Sequence, residues 1–318
     1  MKILILRLSS LGDIVLTQPI AAWLRKQYPQ AEIDLIVKEQ YLELVALMGC
    51  GLNPLPYRKS ISFHARLMQR RYDLVLDLHG KLSTWLLRIA AMGKMSAVYN
   101  KQRSTRLRII RGDRDLKIGS TLDLYQSALA KLGMSSSLDL PRLYPPGIQL
   151  PELPQDSQKL ILIFPGATYN TKRYPYTYYK KLIKESPKDW QYVISGSSAE
   201  WDLGQEIAQG NSSINLCGKL NFERLLDLIA KADWVISSDS GPMHLAAALQ
   251  KPQIAIFGAT HPRLGFAPLN PHARIIAQDL ECQPCSLHGS ESCPRGHFKC
   301  MLDISPNLLL SHLNNSTS

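Results

Sequence analysis

Apolar runs of strand length alternate along this chain with segments whose apolar residues recur every three to four positions. A run buried on both faces reads as a parallel strand, and a 3.6-residue period as the helix that carries the chain back to begin the next one. On this basis strands are expected at 2–8, 33–37, 74–78 and 97–99, with helices at 14–28, 41–47, 82–92 and 121–132. A second series repeats the theme, with strands at 159–164, 191–195, 234–237 and 253–257 and helices at 176–185, 199–209 and 243–249. Within that series Asn221 opens a further helix in which Phe222, Leu225, Leu226 and Ile229 keep helical spacing. A short apolar helix is expected at 306–313.

Between the two series stand Pro141, Pro145, Pro146, Pro151 and Pro154, which remove backbone donors and break both periods. A length of 318 residues also favours more than one core. The expected fold is therefore α/β, with two Rossmann-like, doubly wound domains facing a central cleft. The N-terminal domain would span 1–145 and the C-terminal domain 158–318, joined by a linker at 146–157, with the last helix able to pack back on the N-terminal domain.

Charge divides the halves. Residues 1–150 carry 22 Lys and Arg against 11 Asp and Glu, whereas 151–318 carry 15 of each. A basic half suits an anionic partner: phosphorylated lipid, a membrane face or nucleic acid. The opening Ile3-Leu4-Ile5-Leu6 is cut short by Arg7, so it lacks the apolar core of a signal peptide. No run approaches the roughly 20 apolar residues needed to span a bilayer. These features lead us to expect a cytoplasmic protein, at most peripheral on the cytoplasmic face of the inner membrane.

Candidate chemistry gathers at strand ends. Ser9-Ser10-Leu11-Gly12-Asp13 follows the first strand, where ligands of doubly wound folds sit and where a glycine admits close backbone approach. Asp13 can serve there as a base, although a tight turn with a carboxylate at a helix N-terminus explains the motif as well. The loop from Phe164 to Pro175 offers Gly166, Thr168, Thr171, Lys172 and Arg173 before a helix, a set suited to phosphate oxygens. It lacks the Walker A spacing. Asp239-Ser240-Gly241-Pro242-Met243-His244 is a helix start whose N–H groups suit an anion. A ligand-free cap would explain Ser-Gly-Pro equally, and His244 equally a core histidine.

Two further clusters stand out. Residues 101–117 hold Lys101, Arg103, Arg106, Arg108, Arg111, Arg114 and Lys117 against Asp113 and Asp115, an obvious place for an anionic acceptor or simply a solvated face. No motif for reading nucleic-acid grooves accompanies them. Cys282, Cys285, Cys293 and Cys300, with His288 and His297 among them, have the ligand types of a structural zinc site. The second pair is spaced too widely for the usual pattern, and packed reduced thiols are the alternative. Cys50 and Cys217 stand alone.

Four segments together resemble the bacterial lipopolysaccharide heptosyltransferases, glycosyltransferase family 9. They are Arg7-Leu8-Ser9-Ser10-Leu11-Gly12-Asp13-Ile14, Asp77-Leu78-His79-Gly80, the Lys172 loop, and Ser238-Asp239-Ser240-Gly241-Pro242-Met243-His244. The resemblance runs over nearly the whole chain. It implies a GT-B fold and inverting transfer of heptose from ADP-L-glycero-D-manno-heptose to the lipopolysaccharide inner core, with no cofactor and no catalytic metal. Asp13 matches the general base, and Gly12 beside it would meet the acceptor. Lys172, Thr168, Asp239, Ser240, Gly241 and His244 match the donor's diphosphate and sugar side, and Glu223 the nucleoside side. Arg103, Arg106 and Arg108 would meet the phosphorylated lipid A-core acceptor. Ala167 stands where some members carry a second threonine.

Two other readings compete. The same fold could move another sugar, or act on another cell-surface glycan or a protein hydroxyl. From a different class, the chain could be a zinc-containing nucleotide- or nucleic-acid-binding protein. A nicotinamide dehydrogenase is disfavoured, because no Gly-x-Gly-x-x-Gly follows an expected strand.

Overall fold

A computed structural model of the chain describes residues 1–134, 137–153 and 159–314. The elements run β1 (Lys2–Leu6), α1 (Leu11–Val15), α2 (Gln18–Gln27), β2 (Glu32–Val37), α3 (Leu42–Ala46), β3 (Asn53–Pro56), α4 (Ile61–Arg70), β4 (Leu74–Asp77), α5 (Leu82–Ala91), β5 (Met95–Val98), α6 (Arg103–Ile110) and α7 (Thr121–Ala130). They continue with β6 (Lys159–Phe164), α8 (Tyr176–Glu185), β7 (Trp190–Ile194), α9 (Trp201–Ala208), β8 (Ile214–Asn215), α10 (Phe222–Lys231), β9 (Trp234–Ser238), α11 (Gly241–Ala248), β10 (Gln253–Phe257), β11 (Ala273–Ala277), α12 (Lys299–Leu302) and α13 (Pro306–Asn314).

The chain forms two compact units. One comprises Met1–Gln102 with Gly119–Tyr144, the other Arg103–Ile118 with Pro145–Ser318. The first is built on a parallel five-stranded sheet in the order β3-β2-β1-β4-β5. Its central strand is apolar on both faces because helices cover both, and Ile3, Leu4, Ile5 and Leu6 are fully buried. Leu4, Leu6, Ile36 and Val75 meet Phe63 and Leu67 of α4 and Leu87 and Ala91 of α5. The second unit is built on a parallel six-stranded sheet, β11-β10-β9-β6-β7-β8.

Several expectations are revised. The helix expected at 14–28 is two, because Pro19 lacks the N–H that a helix interior needs and fits instead in the first turn of α2. Between them the Thr17 hydroxyl donates to the Ile14 carbonyl at 2.7 Å. β3 holds two prolines and is an edge strand, the position that tolerates them, so its apolar pattern is too weak to announce it.

Residues 103–118, expected in the N-terminal domain, group with the second unit. Ile118 N–H donates to the Arg263 carbonyl at 2.9 Å, and Arg114 pairs with Asp279 at 3.0 Å. The last helix, α13, lies against α8, with Leu309 and Leu313 in the same core as Tyr179 and Leu182. Lys159 Nζ donates to the Leu313 carbonyl at 2.7 Å. Of the expected linker, residues 154–157 lie outside the described residues.

Candidate active site

Both sheets reverse their strand order once. In the first unit the chain lays down β1, β2 and β3 in one direction, then places β4 on the other side of β1. In the second it lays down β6, β7 and β8, then places β9 on the other side of β6. At such a switch the loops leaving neighbouring strands diverge, and the crevice at their carboxyl ends is where open α/β sheets bind ligands. The polar motifs singled out from the sequence stand at these two points.

In the first unit Arg7 leaves β1 and turns inward, only 6% exposed. Its guanidinium donates to the Leu78 carbonyl at the end of β4, pairs with Asp13 Oδ2, and lies 5.6 Å from the centre of the Tyr125 ring. Burial alone would lower the Arg7 pKa, but the Asp13 carboxylate and the phenols of Tyr125 and Tyr99 outweigh it and raise it, so Arg7 is always charged. Asp13 sits in the first turn of α1, where its Oδ2 also accepts from Ser10 Oγ at 2.8 Å and Ser10 N–H at 3.3 Å. Tyr125 Oη reaches Asp13 Oδ1 at 3.4 Å, and burial pushes this phenol well above its ordinary pKa, keeping it a donor. The Asp13 side chain stays 26% exposed, so an oriented carboxylate is accessible to a substrate hydroxyl.

The end of β4 completes this face. Asp77 Oδ1 accepts from His79 N–H at 2.9 Å and Gly80 N–H at 2.7 Å, closing a turn in which Gly80 has φ +57°. His79 is buried, and burial together with the charges of Arg7, Lys81 and Lys101 lowers its pKa to about 3. Its ring is therefore neutral at physiological pH.

In the second unit the loop after β6 meets the loop after β9. Lys172 Nζ lies 2.9 Å from Asp239 Oδ2, both side chains being largely buried. The same Oδ2 accepts from the Thr260 hydroxyl at 2.7 Å, so three adjacent strand ends converge on one carboxylate oxygen. Ser240 is the residue before α11, its hydroxyl donating to the Ser238 carbonyl at 3.2 Å, with Gly241 and Pro242 in the first turn of the helix and His244 buried one turn on. An ammonium, a carboxylate and the N–H groups of a helix start thus share one crevice, which suits a diphosphate on one side and sugar hydroxyls on the other.

Gly166 admits another group. A Cβ there would fall 1.3 Å from Glu200 Oε1, and one on Gly196 would fall 2.4 Å from Oε2. Glu200 is fixed between these two strand ends by Ser197, whose N–H and hydroxyl donate to Oε2 at 2.6 and 3.0 Å.

The cysteine-rich segment buttresses this site. Among the described residues no group of three or more His, Cys, Asp or Glu side chains is placed to hold a metal ion, so of the two readings of Cys282, Cys285, Cys293 and Cys300 the zinc site is not supported. The segment instead holds the loops from behind. Thr171, next to Lys172, exchanges backbone and hydroxyl bonds with Ser290 at 2.7 to 3.1 Å. Gln283 Nε2 donates to the carbonyls of Phe257, Gly258 and Thr260 at 2.7 to 3.1 Å, and Cys285 N–H donates to Ala259 at 2.9 Å.

The remaining expected residues take the following places. Thr168 is exposed on the Lys172 loop, and Glu223 lies in the first turn of α10, after β8. Gly12 is buried in α1 beside Asp13. Arg103, Arg106 and Arg108 lie on α6, which groups with the second unit and not with the first. Arg106 is buried with its guanidinium 4.8 Å over the Phe266 ring, and Arg108 pairs with Asp113 at 2.7 Å. Tyr125, Glu200, Thr260 and Gln283 escaped the sequence reading, and Arg7 was named there without a role. Arg7 alone left a signal, a charge ending the first apolar run.

Two parallel, doubly wound units, each with polar groups at its switch point, are the domains of a GT-B glycosyltransferase. The family model described as "Glycosyltransferase family 9 (heptosyltransferase)" matches residues 60–293, and the chain belongs to that family. It is 33% identical to lipooligosaccharide heptosyltransferase 2 of Campylobacter jejuni over 52% of this chain and 54% of that one, so the match spans about half the length of that relative. It is 26% identical to lipooligosaccharide heptosyltransferase 2 of Haemophilus influenzae, covering 99% of both chains. The solved structure of E. coli ADP-heptose lps heptosyltransferase II superposes with a TM-score of 0.78 at 24% identity, over 99% of this chain and 98% of that one.

Proposed function

We propose that this protein is an inverting heptosyltransferase that moves heptose from ADP-L-glycero-D-manno-heptose to a sugar hydroxyl of the lipopolysaccharide inner core. What carries the reading is a family match that takes in the whole Lys172–Asp239 site. The names of the similar proteins supply the donor and acceptor class. In the proposed reaction the acceptor oxygen bonds to the anomeric carbon as the bond from that carbon to the diphosphate breaks. The hydroxyl proton passes to Asp13, and ADP leaves with the electron pair. Charge grows on the departing diphosphate, and Lys172 with the N–H groups at Gly241 is the set that would stabilise it. Thr168 would add a hydroxyl and Glu223 would meet the nucleoside.

The acceptor would be a phosphorylated lipid A-core, with exposed Arg103 among its contacts. Among the described residues no helix is long and apolar enough to cross a membrane, and peripheral contact on the cytoplasmic face of the inner membrane fits such an acceptor. Thermal stabilisation by ADP, UDP, GDP and NAD, each with and without EDTA, tests the donor site. Selective stabilisation by ADP that survives EDTA is expected, followed by turnover of ADP-heptose on a core acceptor. Preference for another nucleotide would overturn the donor assignment.

A further inference from the structure

Helix α5 is apolar on two opposite sides. Thr84, Leu87 and Ala91 are buried against the sheet, whereas Leu82, Trp85, Leu86 and Ile89 are exposed. At 100° per residue these four occupy an arc of roughly 100° facing away from the buried stripe. The neighbouring α4 adds exposed Ile61 and Met68, and Met92 and Met95 continue the surface toward β5. Leu82 is 75% exposed and Ile61 90%, values far from those of residues packed into a core. Soluble surfaces carry single apolar residues; a contiguous apolar face of this kind marks an interaction site.

Cations surround the face. Neither α4 nor α5 contains an acidic residue, and no Asp or Glu occurs between Glu43 and Asp73 or between Asp77 and Asp113. Lys94 is paired with Asp73, and Arg70 with Glu32 and Asp34. Arg66, Arg71, Lys81 and Arg88 take part in no ion pair among the described residues. An apolar stripe fringed by unpaired cations complements a surface that is apolar within and anionic at its rim, which is the interface of a bilayer containing anionic phospholipid. A second copy of the chain meeting this face through a two-fold axis would oppose like charges.

We infer that the α4–α5 face of the first unit docks on anionic phospholipid. The inference deepens the reading above, on which it rests for its biological sense. Ile61 and Leu82 each begin a helix that follows a strand's carboxyl end, the edge of the sheet that also carries Asp13. A lipid-linked acceptor would thereby be met at the membrane by the edge bearing the carboxylate.

The test is cosedimentation of the full chain with vesicles of phosphatidylglycerol and phosphatidylcholine, free of glycolipid, beside phosphatidylcholine alone. Binding to the anionic vesicles that weakens with salt is expected, with Trp85 emission moving to the blue and the shift missing in Trp85→Phe. The pair Leu86→Glu, Ile89→Glu should lower partitioning by about tenfold or more. Arg66→Glu and Arg88→Glu should each lower it by about fivefold. The ADP melting shift is measured on the same samples, so that loss of the donor site is read separately from loss of the membrane face. Absence of wild-type binding, or variants that bind as wild type does, overturns the inference. So does a wild-type dimer that the double variant turns into monomer, which would assign the face to a second copy.

Discussion

Lys172 and Asp239 are 67 positions apart in sequence, yet their side chains meet at 2.9 Å because β6 and β9 are adjacent strands. The pairing holds the ammonium at the switch point. Thr260 shares the carboxylate oxygen, so the two groups belong to one network.

Removing one partner of this pair should cost more than removing both. Lys172→Met leaves a largely buried carboxylate uncompensated, for which about 1 to 3 kcal/mol of destabilisation is expected. Lys172→Met combined with Asp239→Asn should recover part of that loss, and a double-mutant cycle by denaturant unfolding measures the coupling. The ADP melting shift should be lost in both. Independent, additive effects would show that the contact carries no coupling energy.

Asp13→Asn retains the shape of the residue and removes the base. Turnover is expected to fall by about 10² to 10⁴-fold, with the ADP melting shift unchanged because Asp13 lies outside the Lys172–Asp239 network. Steady-state assays with a saturating acceptor check this, and undiminished turnover would remove Asp13 from the chemistry.

Gly166→Ala drives a methyl group into the Glu200 carboxylate. Glu200 must then swing away from Ser197, and a loss of about 1 to 3 kcal/mol is expected. Adding Glu200→Ala empties the space and should restore most of the stability of the Glu200→Ala parent. Melting temperatures of the three variants decide the matter, since equal losses for Gly166→Ala in both backgrounds would exclude the clash as the cause.

His79 makes stability depend on pH. Its folded pKa, about 3, lies below the ordinary value of 6.5, so between these limits the unfolded chain binds a proton that the folded chain does not. Stability from this group is complete above pH 6.5 and falls as pH drops toward 3, by at most about 1.4 kcal/mol per pH unit. His79→Gln should flatten that part of the profile. Urea unfolding from pH 7 to pH 4 measures it, and identical slopes in wild type and variant would contradict the assignment.

Thiol reactivity should single out Cys293. Although burial opposes it, hydrogen bonds from the backbone of Phe298, Arg295, Gly296 and His297 lower its pKa, whereas burial pushes Cys285 up to about 11 and Cys217 and Cys300 up to about 12. Alkylation at pH 8 followed by peptide mapping should find Cys293 modified first. Prior labelling of Cys217 would show that the protective burial is absent.

By itself the sequence determined the class of fold, because burial on both faces forces long apolar runs on parallel strands and a 3.6-residue period on the helices between them. Glycine and aspartate at Gly12-Asp13, and Ser240-Gly241-Pro242 after a strand, were legible as strand-end sites because close approach and helix starts demand particular residue types locally. Edge strands β3 and β11, paired on one side and only partly buried, left too faint a pattern. Tertiary structure decided which strand ends became neighbours, since strand order is set by long-range packing and leaves no local period. It therefore decided that Lys172 meets Asp239 and that Arg7 turns inward to Asp13. Residues 103–118 joined the second unit for the same reason. Their charge pattern specified solvent or an anion, while the contacts of Arg106 with Phe266 and of Arg114 with Asp279 specified the place. The cysteines show the limit most clearly: their residue types left zinc and packed thiols both open, and the three-dimensional arrangement uses their segment to brace the Lys172 loop.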